Sequence, residues 1–160
     1  MAEAEQSDKA VRDFIWNIVE IHSQLEEIHK SWAKMLGITE AQWLILMAIN
    51  ELDDGSGVSG TAVANKLGFH PPFVTSQTKR LESMEFLARP TSPDDARFIQ
   101  MSLTETARAE IAKLSIKRKA LNATILEGVD QTTIDYLNKR LSLLAKNSRL
   151  ASQKLSIGVL

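Results

Sequence analysis

From Phe14 the apolar positions fall at Phe14, Ile18, Ile21, Leu25, Ile28, Trp32 and Met35, in alternating steps of four and three. Such steps hold one stripe on one face of an α-helix, so the spacing predicts a long helix with an apolar seam. A second seam with the same rhythm, Ile134, Leu137, Leu141, Leu144, Ser148, Ala151 and Leu155, lies near the other end, with Asp130 placed to cap its start. The region between the seams is too small to bury both. The natural cover for each is therefore the equivalent stripe of a second chain, with packing inside one chain as the alternative.

Between the seams, Thr39-Glu40-Ala41-Gln42 has the form of a capping box ahead of a helix carrying Trp43, Leu46, Met47 and Ile49. That helix ends in the polar loop Asp53-Asp54-Gly55-Ser56-Gly57. Ser59 can cap a short helix with Ala62, Val63, Ala64 and Leu67, stopped by Gly68, and His70-Pro71-Pro72 opens another whose inner face is Val74, Thr78, Leu81 and Met84. Two helices joined by a glycine-containing turn outline a helix-turn-helix. After Glu85 the period falls to two: Phe86 to Arg89, a polar tip Pro90-Thr-Ser-Pro-Asp-Asp95, then Phe98 to Leu103 with Ile99, Met101 and Leu103 on one face. This predicts a β-hairpin. Thr104 then caps one more helix bearing Ile111, Leu114, Leu121 and Ile125. The expected fold is mainly α with a small β-hairpin wing: a winged helix-turn-helix (residues 38–105) on a helical dimerisation frame (residues 8–36 and 106–160).

Composition narrows the chemistry. The 160 residues include no cysteine, which excludes disulfides, thiolate zinc sites and Cys nucleophiles. With three His and no Cys, a closed metal site is not expected. There is no Gly-rich phosphate loop, Ser-centred elbow or paired-carboxylate site, so no catalytic residue, enzyme activity or cofactor is expected. No apolar run is long enough for a membrane span and the N-terminus is acidic rather than basic, which points to a cytoplasmic protein without membrane contact. The net charge of −1 hides an asymmetry: residues 1–57 carry four Lys/Arg against eleven Asp/Glu, residues 58–103 five against four, and residues 104–160 ten against five. Net charge alone therefore does not decide the partner.

In order and spacing, Ile38-Thr39-Glu40-Ala41-Gln42, Val63-Ala64-Asn65-Lys66-Leu67-Gly68, Phe73-Val74-Thr75, Lys79-Arg80-Leu81-Glu82, Arg89-Pro90 through Asp95-Ala96-Arg97, and Ser102-Leu103-Thr104 resemble the MarR family of bacterial transcription regulators over nearly the whole chain. The resemblance implies a homodimer with one recognition helix per subunit in successive major grooves of a palindromic double-stranded operator and one wing per subunit in the flanking minor groove, often answering a small aromatic effector. Ser76, Lys79 and Ala107 depart from residues common in the family, and Gln77 and Thr78 are more polar than the usual pair, so no consensus operator carries over.

The candidate DNA contacts are Ser59, Thr61, Lys66, Pro71, Pro72, Thr75, Ser76, Lys79, Arg80, Arg89, Asp95 and Arg97. Pro72, Thr75, Ser76 and Lys79 lie opposite the buried face of their helix, whose start is expected to aim free N–H groups at phosphate; the alternative is a plain solvated face. Ser and Thr read bases permissively, so direct specificity is expected to be modest. By resemblance Arg97 is the minor-groove arginine, oriented by Asp95; a hairpin-stabilising ion pair is the other reading, and both can hold. Lys66, Arg80 and Arg89 suit phosphates, which fix register and add salt dependence. Candidate effector contacts are Arg12, Trp16, His22, His29, Trp32, Trp43 and Met47, although large apolar residues at helical spacing also make ordinary core. An aromatic acid fits such walls; so does an aromatic acyl-coenzyme A, with Lys113, Lys117, Arg118 and Lys119 for its phosphates, unless that run is a solvated face. The function expected is a homodimeric, ligand-released repressor. The rival from another class is a winged-helix protein-interaction module that binds no DNA.

Overall fold

The computed structural model describes residues 2–89 and 100–159. The chain divides into two compact units, residues 1–113 and 114–160. The first holds α1 (Ala2–Met35), α2 (Glu40–Leu52), β1 (Val58–Ser59), α3 (Gly60–Leu67), α4 (Pro71–Ser83), β2 (Leu87–Ala88), β3 (Gln100–Leu103) and α5 (Glu105–Lys113). The second holds α6 (Ser115–Ile125) and α7 (Gln131–Ser156).

Helix ends fall where the local chemistry supplies partners for their unpaired backbone groups. At the end of α1, Gly37 takes φ +69°, and the Ile38 N–H reaches back to the Ala33 carbonyl at 3.0 Å. Two residues on, the capping box opens α2: the Gln42 N–H donates to Thr39 Oγ1 (3.3 Å) while the Thr39 N–H donates to Gln42 Oε1 (3.0 Å). Ser59 Oγ accepts the Ala62 N–H at 3.1 Å to start α3, and Gly68 at φ +69° ends it. The exit from α4 uses the same left-handed turn without a glycine. Glu85 sits at φ +60°, held by the Phe86 N–H on the Leu81 carbonyl at 2.9 Å and by the Thr104 hydroxyl on its own carbonyl at 2.6 Å.

The core of the first unit is built by α2, α3 and α4 with the sheet and α5. Ile45, Leu46, Ile49, Val63, Val74 and Leu81 are almost fully excluded from solvent, and Val58, Leu87, Met101, Leu103, Ala107 and Ile111 close around them. Each large apolar side chain buried in this way contributes about 1.5–3 kcal/mol, which holds α4 against its scaffold.

The wing strands form a three-stranded antiparallel sheet in the order β1-β3-β2, with Val58 opposite Met101 and Leu87 opposite Leu103. From Gln100 onward the period of two predicted for the returning strand holds, since Met101 and Leu103 are buried and Gln100 and Ser102 half-buried; Phe98 and Ile99 lie outside the described residues. β1 was not expected; two residues are too few to show a period. It approaches β3 so closely that a Cβ on Gly57, which adopts φ +83°, would lie 2.8 Å from the Cβ of Gln100. The expected single helix from Thr104 to Ile125 is two, parted at Leu114. Leu114 keeps near-helical angles (φ −83°, ψ −11°), so the apolar period runs on through the break and conceals it.

In the second unit, Asp130 caps α7 by accepting the Thr133 N–H at 2.7 Å, and neither α6 nor α7 contains a buried residue. On α7 the predicted seam is solvent-facing: Leu137, Leu141, Leu144 and Leu155 are exposed. The same holds on α1, where Val11, Phe14, Ile15, Trp16, Ile18, Val19 and Ile21 are all exposed before the helix reaches α2 through Trp32 and Ala33. Among the described residues no helix is long and apolar enough to cross a membrane, and no cluster of three or more His, Asp or Glu could hold a metal.

Candidate nucleic-acid interface

Helices α3 and α4 pack on each other across the Gly68 turn, and an edge-to-face contact between Phe69 and Phe73, centroids 5.4 Å apart, braces it. The two sides of α4 follow the prediction except at one end: Val74, Thr78 and Leu81 face inward and Pro71, Pro72, Thr75, Ser76, Lys79 and Arg80 are exposed, but Met84, expected on the inner face, is the residue that ends the helix and is 41% exposed. Thr75 carries one constraint that spacing could not reveal. Its hydroxyl donates to the Pro71 carbonyl at 3.0 Å, which leaves oxygen lone pairs and a methyl group facing outward. Such a side chain accepts from base amino groups or touches a thymine methyl; it does not donate.

The start of α4 differs from the expectation of free N–H groups. Pro71 and Pro72 have none, and the Phe73 and Val74 N–H groups both donate to the His70 carbonyl, at 3.0 and 3.1 Å. The first turn is therefore closed to phosphate. That role is open instead at α3, where Ser59 caps only the Ala62 N–H and the Gly60 and Thr61 N–H groups have no partner among the described residues. Ser59 is half-buried and Thr61 exposed.

Two of the basic candidates are paired. Lys66 Nζ lies 2.7 Å from Glu51 Oε1, and Arg89 Nε 3.0 Å from Glu82 Oε2. Exposed pairs of this kind are worth about 0–1 kcal/mol, so a phosphate can displace the carboxylate at little cost. The Arg89 pair also ties the end of α4 to the wing. Asp95 and Arg97 lie outside the described residues.

The sheet is fastened to the helices by Asp53, which sequence reading left as part of a polar loop. Its carboxylate, only 4% exposed, accepts the Gly55 and Gly57 N–H groups at 2.9 Å each, lies beside the Ser102 hydroxyl on β3, and stands 3.7 Å from the Arg108 guanidinium on α5. The Ser102 hydroxyl above all, with the two N–H groups and Arg108, holds this carboxyl below the usual aspartate range against the opposing effect of burial. A second polar link joins α2 to α4: Gln42 Nε2 donates to Gln77 Oε1 at 3.1 Å.

The candidate effector residues separate into two groups. Trp43 is 1% and Trp32 8% exposed and His29 is half-buried, on the two helices α1 and α2 that pack on each other, whereas Met47 is half-buried against the main core. Arg12, Trp16 and His22 are exposed on the free part of α1. Arg12 and Trp32 are about 30 Å apart along the helix at 1.5 Å per residue, so one chain cannot bring them into one small-molecule pocket. The basic run Lys113, Lys117 and Lys119 is exposed and Arg118 half-buried.

A two-faced helix behind a glycine turn, followed by a sheet locked to its scaffold, is the geometry of a winged helix-turn-helix. Residues 38–99 match the MarR family. The winged segment is a MarR family domain. The chain is 25% identical over 134 residues to the HTH-type transcriptional regulator YhbI of Bacillus subtilis, covering 84% of this chain and 85% of that protein. It shares its fold with CouR from Rhodococcus jostii RHA1, solved bound to p-coumaroyl-CoA (TM-score 0.72, 19% identity, 83% of this chain and 92% of that one). It shares it also with a MarR family regulator from Listeria monocytogenes solved with a 26mer DNA (TM-score 0.72, 17% identity, 90% and 94%). These likenesses are to MarR-type DNA-binding transcriptional regulators.

Proposed function

We propose that this MarR-type regulator is a homodimeric repressor that holds a palindromic double-stranded operator and leaves it when a small aromatic acid or aromatic acyl-CoA thioester binds. The observation that carries the reading is the division of α4 into a buried apolar side and an exposed side of short hydroxyls and Lys79. In this reading Pro72, Thr75, Ser76 and Lys79 meet base edges from the major groove, and Pro71 abuts the backbone. Ser59, Thr61, Lys66, Arg80 and Arg89 contact phosphates, and Asp95 and Arg97 serve the minor groove. Dimerisation is supported by the exposed apolar stripes of α1 and α7, since contiguous apolar surface of this extent marks an interface.

For the effector, the supporting facts are the aromatic residues Trp32 and Trp43 where α1 meets α2, and the p-coumaroyl-CoA held by CouR. Arg12, Trp16 and His22 join that site only through a second copy. Release is a population shift: two recognition helices must stand about 34 Å apart to enter successive major grooves, and a ligand that prefers another spacing favours the unbound state by its differential affinity.

A titration of the protein against its own upstream DNA at several salt concentrations, with Arg97→Ala alongside, tests the reading. Tight, salt-sensitive binding lost in the variant and reversed by an aromatic acid or thioester is the expected result. Weak binding, equal for both proteins and for random DNA, overturns it.

A further inference from the structure

We propose that the Gln42–Gln77 amide pair sets the roll of the recognition helix α4 about its own axis and thereby the sequence preference of the protein, a positioning role that rests on the DNA-binding reading above. Gln42 is 3% exposed, and both ends of its amide are committed. Its Oε1 accepts the Thr39 N–H at 3.0 Å, and a backbone N–H can only donate, so the orientation of this amide is fixed. The Nε2 group must therefore face Gln77, whose Oε1 accepts at 3.1 Å. Direction is thus handed on from the α2 capping box to a side chain 35 residues later on α4.

The position of Gln77 explains why this contact controls roll. With successive residues about 100° apart, Gln77 falls at the edge of the buried face, between buried Leu81 and Val74 on one side and exposed Arg80 and Phe73 on the other. Val74 and Leu81 hold α4 by apolar packing, which is not directional. The hydrogen bond at the margin is directional, and it acts with leverage. A roll of about 10° moves side-chain tips some 5–6 Å from the axis by about 1 Å, enough to spoil a hydrogen bond from Ser76 or Lys79 to a base. Phosphate contacts from α3 and the wing do not depend on that angle.

The test compares Gln77→Met, which keeps volume and removes the acceptor, with Gln77→Glu, which keeps an acceptor for Gln42 Nε2. Fluorescence anisotropy gives the affinity of each for upstream operator DNA and for a scrambled duplex of equal length, and thermal melts run in parallel. Gln77→Met is expected to lose about tenfold in the ratio of the two affinities with scrambled binding unchanged. Gln77→Glu is expected to keep the ratio while its added charge lowers both affinities together. Should Gln77→Met melt low, the ratio is read below its transition, where the folded variant is expected still to lack preference; Gln42 is left in place because its Oε1 also accepts the Thr39 N–H. An unchanged ratio in folded Gln77→Met overturns the proposal. A wild-type protein with no operator preference overturns the DNA-binding reading together with it.

Discussion

Replacing Asp53 by Asn tests whether one buried carboxylate fastens the wing to its scaffold. Asn keeps the shape and one acceptor oxygen but turns the other into a donor, which faces either the Ser102 hydroxyl or the Arg108 guanidinium. Hydrogen bonds to a charged group are worth about 1.5–3 kcal/mol and neutral ones about 0.5–1.5. Downgrading the bonds from Gly55 and Gly57 and the contact with Ser102, and discounting Arg108 because it is half-exposed, gives a loss of about 2–3 kcal/mol. For a unit of this size that lowers Tm by on the order of 10 °C. The loss must also depend on pH. The folded carboxyl titrates below its ordinary value of 3.8, so its stabilisation is fully present above that value and disappears as pH falls through the folded pKa. Urea melts of the two proteins should differ at pH 7, and the gap should narrow progressively as pH falls below 3.8. Equal stability at pH 7, or a gap that does not narrow in acid, refutes the latch.

Three further outcomes follow from the backbone and the charges. Gly57→Ala, with its new Cβ 2.8 Å from that of Gln100 at a φ of +83°, should destabilise by about 1–3 kcal/mol, read by thermal melts, with loss of protection at the Val58 and Met101 amides in hydrogen exchange. Glu85→Gly should stabilise by about 0.5 kcal/mol, since relief of left-handed strain of about 1–2 kcal/mol exceeds the entropy that glycine adds to the unfolded chain; Glu85→Val should do the reverse. Lys66→Ala should lower the magnitude of the salt slope of DNA binding by about one, whereas Glu51→Gln, which frees the same ammonium, should raise affinity modestly in the same titration.

Features carried by neighbouring residues were open to sequence reading. The Thr39–Gln42 box, the Ser59 and Asp130 caps, the Gly68 stop and the inner face of α4 up to Leu81 each depend on a few adjacent side chains, and each stands where the spacing placed it. Contacts between distant residues were not. Asp53 and Ser102 lie on different elements, as do Gln42 and Gln77, and nothing local in a polar loop or a helix flank announces its partner. Period analysis also passes over short or smooth features, hence the missing β1 and the hidden break at Leu114. In the effector set it could not separate Trp43, sealed in the interior, from Trp16, open on α1, because both recur at helical spacing. The closed first turn of α4 was readable after all: two prolines supply no N–H whatever fold contains them.

That closed turn has a design consequence. A recognition helix that grips phosphate with its own backbone ties strength to orientation, and changes to its bases-facing side chains disturb both. Here, in the proposed arrangement, anchoring belongs to the start of α3 and to Lys66, Arg80 and Arg89, leaving positions 72, 75, 76 and 79 free to meet base edges. The scaffold is thereby modular: substitutions at those four positions can retarget it to a new operator while the sequence-independent hold on DNA stays as it was.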